Sequence, residues 1–298
     1  MRVLVVHSWG LGDLIMATPM LRSLHLSGHR VDLALFSSAN TTVLKGNDFI
    51  DKIHLIRSKI DFVKFFKRYD ALVTTAGTNP KKIASLNLLI QAKKVFASHQ
   101  EKDIHRIDMN LNIVQDIAPK QIREPYIFVN DNEDILRKYL FTKRKNIAFC
   151  VGSGSKQKFK RWDGFWELAT RLNNENILVF IGPDEVDLIK KYKNLDVKIV
   201  QESLEDTIKL IANVDLAIGN DNGLMHIAYA TKRDTVTIYG MTNEKETGGY
   251  YPNNETVCLD MACRPCFDPA TDYVGCATFD CLHNLSVENV WKACRKFL

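Results

Sequence analysis

Apolar residues in this chain fall into short runs, separated by segments in which they recur at helical spacing. Arg2–His7 is a β-branched run of the kind a buried parallel strand requires, since such a strand is covered on both faces. The turn Trp9-Gly10-Leu11-Gly12 leads into a segment where Leu14, Ala17, Leu21 and Leu24 share one helical face, ending near Gly28. Val31–Phe36, Lys52–Ile56, Ala71–Thr75 and Lys94–Ala97 are further strand candidates. Between Lys52–Ile56 and Ala71–Thr75 lies a basic helical segment, with Phe62, Val63, Phe65 and Phe66 set against Lys64, Lys67 and Arg68. A helix over Ile107–Ile117 closes the first half.

The stretch 118–132, with Pro119, Pro125 and the polar run Asn130-Asp131-Asn132, reads as an inter-domain region. The alternation then restarts with a helix over Glu133–Leu140. Strands are predicted at Asn146–Val151, Ile177–Ile181, Val197–Val200, Leu216–Gly219 and Thr235–Tyr239. Helices are predicted over Trp166–Leu172 and Leu204–Ala212, and Asn220-Asp221-Asn222-Gly223 opens a further helix through Ala230. Leu285–Phe297 reads as a terminal helix with Val287, Val290, Trp291 and Cys294 on one face. Strands alternating with helices imply parallel sheets covered by helices. The economical architecture is α/β: two Rossmann-like domains facing a cleft, at 1–125 and 130–285, with the helix at 286–298 packing back towards the first.

Composition changes this picture little. The chain has 298 residues, 46% hydrophobic and 25% charged, as expected of a globular protein able to bury real cores. No apolar run approaches the ~20 residues of a membrane-spanning helix. The apolar start stops at His7, with no small-residue cleavage site after it, so a cytoplasmic protein is expected. Charge is more informative. Residues 1–150 hold 23 Lys+Arg against 14 Asp+Glu, a balance of +9, whereas the remainder holds 17 against 21, a balance of −4. An anionic partner at the first half fits this asymmetry, as do solvated helix faces.

Ligands of open α/β sheets bind beyond the carboxyl ends of the strands, so the strand-to-helix loops carry the candidate chemistry. In the first, Ser8-Trp9-Gly10-Leu11-Gly12-Asp13, Gly12 lets backbone approach a ligand. Asp13 sits in the first helical turn, either as a reacting carboxylate or as a residue favouring the helix N-terminus. The dinucleotide-binding pattern fails here, because Ile15 stands where its third glycine belongs. The second loop runs from Gly152 to Trp162. Its Ser153, Ser155 and Lys160 among other cations suit a phosphate, though a solvated basic loop has the same composition. The third, Gly219–His226, offers helix-start N–H groups at Asn222, Gly223 and Leu224, with Asp221 placed for a sugar hydroxyl or for the turn itself. His226 reads as a ligand contact or a core histidine, and Glu185 as a ribose contact or a helix-start carboxylate. Cys263-x2-Cys266-x9-Cys276-x4-Cys281 could form a structural zinc or iron site, or remain as free thiols.

Taken in order, these motifs resemble glycosyltransferase family 9, the ADP-heptose:lipopolysaccharide heptosyltransferases. The matching residues are Gly12-Asp13-Leu14-Ile15-Met16-Ala17-Thr18-Pro19, the loop ending Lys160-Arg161-Trp162, Asp221-Asn222-Gly223-Leu224-Met225-His226, Gly240-Met241-Thr242 and Cys263-Arg264-Pro265-Cys266. Asn222 stands where the family has a hydroxyl residue. The resemblance implies a GT-B glycosyltransferase with an inverting mechanism and no catalytic cofactor. Asp13 and Lys160 would be catalytic, and Gly12, Ser153, Ser155, Glu185, Asp221, Asn222, Gly223, Leu224, His226 and Thr242 would hold a nucleotide-diphospho-sugar such as ADP-heptose. The acceptor would be anionic, either lipopolysaccharide core at the inner face of the membrane, with peripheral membrane contact, or modified bases of DNA. A non-catalytic nucleotide-binding relative is the remaining alternative.

Overall fold

The computed structural model describes residues 1–78, 80–97, 101–268 and 273–298. The chain divides into two compact units, residues 1–128 and 129–298.

The first unit holds β1 (Arg2–His7), β2 (Arg30–Leu35), β3 (Lys52–Leu55), β4 (Ala71–Thr74) and β5 (Lys94–Phe96). They form one sheet in the order β3-β2-β1-β4-β5, with every pair parallel. Helices α1 (Leu11–Leu26), α2 (Pro80–Ile90) and α3 (Arg106–Val114) complete it. From Val3 on, β1 is fully buried, as its unbroken apolar sequence requires. α1 packs on α3. Asn110 of α3 fixes this layer: its amide donates to Met16 O (3.2 Å), and its carbonyl oxygen accepts from Ala76 N (2.9 Å) in the loop after β4.

Sequence periodicity did not announce α2, and the basic segment expected to be helical is a 3₁₀ turn over Lys59–Phe65. Its Phe62 and Phe65 fill a cluster with Tyr69, Ile83 and Ile90.

The second unit opens with α4 (Glu133–Tyr139) and carries β6 (Asn146–Cys150), β7 (Asn176–Phe180), β8 (Val197–Val200), β9 (Leu216–Asn220), β10 (Asp234–Ile238) and β11 (Asn254–Val257). These six form a parallel sheet ordered β11-β10-β9-β6-β7-β8. Counting from β6, this is the Rossmann order 3-2-1-4-5-6, with its switch point between β6 and β9. Helices α5 (Phe165–Arg171), α6 (Leu204–Ile211), α7 (Gly223–Ala230) and α8 (Glu244–Thr247) lie between the strands. A two-strand hairpin (β12, Phe267–Asp268; β13, Tyr273–Val274) and the helices α9 (Asp280–His283) and α10 (Val287–Cys294) follow.

The last helix is built into the core of this second unit. Val287, Val290, Ala293 and Cys294 join the core, and α10 packs on α5, β10 and β11. Among the described residues no helix is long and apolar enough to cross a membrane.

Candidate active site

Two loops meet at the switch point of the second sheet, one after β6 and one after β9. Three consecutive residues at the end of β9 join them. Asn220 is completely buried. Its Oδ1 accepts from Trp162 N (3.0 Å) and its Nδ2 donates to Val151 O (2.8 Å), so one side chain grips both ends of the loop Gly152–Trp162. Asn222 caps α7, accepting from Leu224 N (2.9 Å) and Met225 N (3.2 Å), while its Nδ2 donates to Cys150 O and Gly152 O (both 2.9 Å). Between them, Asp221 faces Lys160, with Oδ2 3.4 Å from Nζ; the two side chains are 10% and 11% exposed.

The Asp221 carboxylate is well supported. Burial alone would raise its pKa, but Lys160, the nearby His226 and the Thr242 hydroxyl outweigh that effect and hold it below the ordinary range. Thr247 Oγ1 lies 3.4 Å from its other oxygen. The Lys160 ammonium also stands 4.9 Å from the centroid of the Phe267 ring. A lysine held by one long hydrogen bond and a ring face keeps donors to spare for an anion.

Glu185, predicted near a ribose, is engaged beneath the same loop. Its Oε1 accepts from Ser153 N (3.2 Å) and lies 3.6 Å from Arg161 Nη2. The carboxylate fits because residues 152 and 182 are glycines: a Cβ at Gly152 would lie 2.7 Å from Glu185 Cδ, and one at Gly182 2.4 Å from Oε2. Ser153 Oγ accepts from Arg161 Nε (3.2 Å), and Arg161 Nη2 donates to Asp184 O (3.2 Å). Ser153, Arg161 and Glu185 thus form a polar cluster supporting the loop. The side chain of Ser155 lies outside the described residues. Gly223 is the first residue of α7, Leu224 N–H is committed to the Asn222 cap, and His226 lies buried one turn on, its ring edge-on to Tyr229 at 5.6 Å.

The first unit carries its own cluster at the carboxyl ends of β1 and β4. Gly12 and Asp13 lie in the first turn of α1. Asp13 Oδ1 is 3.8 Å from Arg106 Nε, with side chains 32% and 7% exposed. Gly77, at φ +82°, makes room for that arginine, since a Cβ there would come 2.8 Å from Arg106 Nη1. His7 is buried beneath Asp13's turn. Its Nδ1 lies 3.2 Å from Thr75 Oγ1 and its Nε2 3.3 Å from Gly10 O, and burial pushes its pKa down, leaving the ring neutral near pH 7.

Asn220, Arg161 and Arg106 are given no role in the sequence reading. Arg161 stood inside a noted motif, but the partners of all three are set by the fold. Among the described residues, no three His, Cys, Asp or Glu side chains stand together closely enough to form a metal site. None of Cys263, Cys266, Cys276 and Cys281 is in a disulfide. The thiols of Cys266 and Cys281 are pushed up by burial first and by neighbouring thiols second, whereas backbone N–H groups of Phe279 and Thr278 lower that of Cys276.

Known proteins resemble this chain over most of its length. The chain is 27% identical over 284 residues to lipooligosaccharide heptosyltransferase 2 of Campylobacter jejuni serotype O:2, covering 86% of each protein. The structure of the E. coli ADP-heptose lipopolysaccharide heptosyltransferase II superposes with a TM-score of 0.77 at 17% identity, covering 100% of this chain and 98% of that one. A glycosyltransferase family 9 structure from Veillonella parvula gives 0.83 at 17% identity, covering 99% and 96%. The family model for glycosyltransferase family 9 (heptosyltransferase) matches residues 75–275, a span containing both switch-point loops of the second sheet. The chain therefore belongs to glycosyltransferase family 9 and is a sugar-transferring enzyme.

Proposed function

We propose that this enzyme moves a heptose from ADP-heptose to a hydroxyl of an anionic lipooligosaccharide or lipopolysaccharide core, with inversion at the anomeric carbon. The observation that carries the reading is the near-buried Lys160–Asp221 pair at the switch point, flanked by two asparagines that fix the loop and the helix start around it. Phosphate binding at such a point is general to this topology. The names of the similar proteins supply the sugar, the base and the acceptor class.

In this reading the acceptor oxygen forms a bond to the anomeric carbon as the bond from that carbon to the diphosphate oxygen breaks, the electron pair leaving with ADP. Lys160 neutralises the departing charge, assisted by N–H groups of the glycine loop and by the Gly223 N–H at the α7 start. Asp221 and Thr242 lie within reach of the sugar, and Glu185 sets the floor beneath the nucleoside. The acceptor proton passes to Asp13, and Arg106 orients that carboxylate. These cationic and N–H groups do the work a metal would otherwise do, so catalysis needs no metal.

General-base assistance is worth ~10²–10⁴-fold in rate. Asp13→Asn is therefore expected to bind ADP as wild type does and to lose about that factor in kcat with an ADP-heptose donor. Transfer by Asp13→Asn near the wild-type rate would leave Asp13 as a helix-start residue only and overturn the assignment.

A further inference from the structure

We propose that Phe267 is a positioning residue of the transfer site, the face of its ring holding the Lys160 ammonium in place for the leaving diphosphate. The inference deepens the reading of Lys160 given above and rests on it. Lys160 Nζ stands 4.9 Å from the Phe267 centroid, inside the ~6 Å over which a ring face attracts a cation. The attraction is electrostatic and comes from the negative face of the ring, so it takes none of the ammonium's N–H groups. On the other side, the bond to Asp221 is long, 3.4 Å, and the lysine side chain is 11% exposed. A second carboxylate in place of the ring would compete with a diphosphate for the same donors, whereas the ring does not.

The backbone that carries this ring is tied to the backbone that carries Thr242. Met241 O, in the loop after β10, accepts from both Cys266 N (3.0 Å) and Phe267 N (3.1 Å). The next residue, Thr242, supports the Asp221 carboxylate through its hydroxyl. One backbone point thus places the ring against one member of the ion pair and the hydroxyl against the other. Arg264 braces that point, donating to Gly240 O, to Leu259 O (2.9 Å) and to Glu244 Oε2 (3.0 Å).

Two further rings hold the first. Phe159, the chain neighbour of Lys160, packs against Phe267 at 6.0 Å and 47°, and stacks on Phe279 at 5.9 Å and 12°. Phe279 has φ +52°, a left-handed conformation that is uncommon for a bulky residue. The start of α9 keeps it there: Phe279 N donates to Cys276 Sγ (3.4 Å), and its carbonyl oxygen accepts from Leu282 N (2.9 Å) and His283 N (3.0 Å). Strain retained two rings away from a reacting group points to positioning. All three rings are partly buried against the core of the second unit. Packing there would accept any apolar side chain of similar volume, but an ammonium needs the ring face.

The test is a double-mutant cycle on ADP affinity, read by calorimetric titration of the full chain with Phe267→Leu and Lys160→Met, alone and together. Phe267→Leu is expected to weaken ADP binding ~5–30-fold, the worth of a desolvated cation–ring contact, and to do so only while Lys160 is present. Pentafluorophenylalanine at position 267 keeps the shape of the ring but draws negative charge off its face. It should weaken ADP binding as leucine does, whereas Phe267→Tyr should bind as wild type. These two rings test the face even if leucine disturbs the hairpin. The proposal is overturned if Phe267→Leu weakens ADP binding equally with and without Lys160, or if the fluorinated ring binds as wild type, since packing alone would then explain the residue. If Lys160→Met itself binds ADP as wild type does, the diphosphate reading of Lys160 fails and the proposal falls with it.

Discussion

Removing the side chain of Asn222 tests the idea that one amide both starts α7 and ties it to β6. That side chain makes four hydrogen bonds, to Leu224 N, Met225 N, Cys150 O and Gly152 O. Loss of the cap costs about 1 kcal/mol. Loss of the two bonds to carbonyls costs about 1 kcal/mol each. Asn222→Ala should then destabilise the second unit by about 3 kcal/mol. For a unit of this size each kcal/mol moves the midpoint by roughly 2–4 °C, so a drop of roughly 6–12 °C is expected. Asn222→Ser restores the cap but not the tie, and should recover about 1 kcal/mol of the loss. Asn222→Asp also caps, but it sets a carboxylate against two carbonyl oxygens and beside the proposed diphosphate site. It should lose more ADP affinity than alanine does. Differential scanning fluorimetry, paired with calorimetric titration of ADP, reads both effects. A drop under about 2 °C for alanine, or serine as damaging as alanine, would show that the bonds seen here do not carry the stability assigned to them.

Lys160→Met should leave the Asp221 carboxylate buried beside no close lysine, costing about 3 kcal/mol at neutral pH. In wild type, the depressed pKa of Asp221 gives stability that is present above its ordinary value of 3.8 and is lost as pH falls through the lower folded value. Without Lys160, burial dominates and the folded pKa rises, so the stability gap between the two proteins should narrow towards acid pH in urea titrations. A gap constant from pH 7 to acid would refute the pairing. For the cysteines we retain a structural zinc or iron ion as a proposal that requires the four sulfurs to draw together. Elemental analysis should then find a metal equivalent that Cys266→Ser loses, and metal-free protein with four freely alkylated thiols would exclude it.

How much of this was legible beforehand depends on where each signal resides. The inner strands were readable because parallel strands buried on both faces must be continuous apolar runs: β1, β6 and β9 stand within a residue of their predicted positions. β11 was not, since Asn254-Glu255-Thr256-Val257 carries no such run and becomes a strand by adding to the open side of β10. The basic segment at 59–65 has an apolar count that suits an α-helix, but only the 3₁₀ period separates its buried row from its exposed one. Asp13, Lys160 and Asp221 were legible as chemistry-bearing residues in strand-end loops. Asn220 was not, because its partners lie 58 and 69 residues away and its role is created by the β6–β9 pairing. Glu185 reads from the sequence as a ribose contact or a helix-start carboxylate, whereas in the fold Ser153 and Arg161 engage its carboxylate.

The bond from Trp162 Nε1 to Leu285 O (2.8 Å) has a consequence for biosynthesis. The first unit ends at residue 128, so every contact it needs within itself exists while the ribosome is still translating the second. The glycine loop is differently placed in time. It is made early in the second unit, yet it waits for β9 to supply Asn220 and for residue 285 to anchor its tryptophan. A chain stalled or clipped before that point would carry a folded first unit beside an unfinished second one. Partial products of this gene should therefore betray themselves by protease sensitivity confined to residues beyond 128.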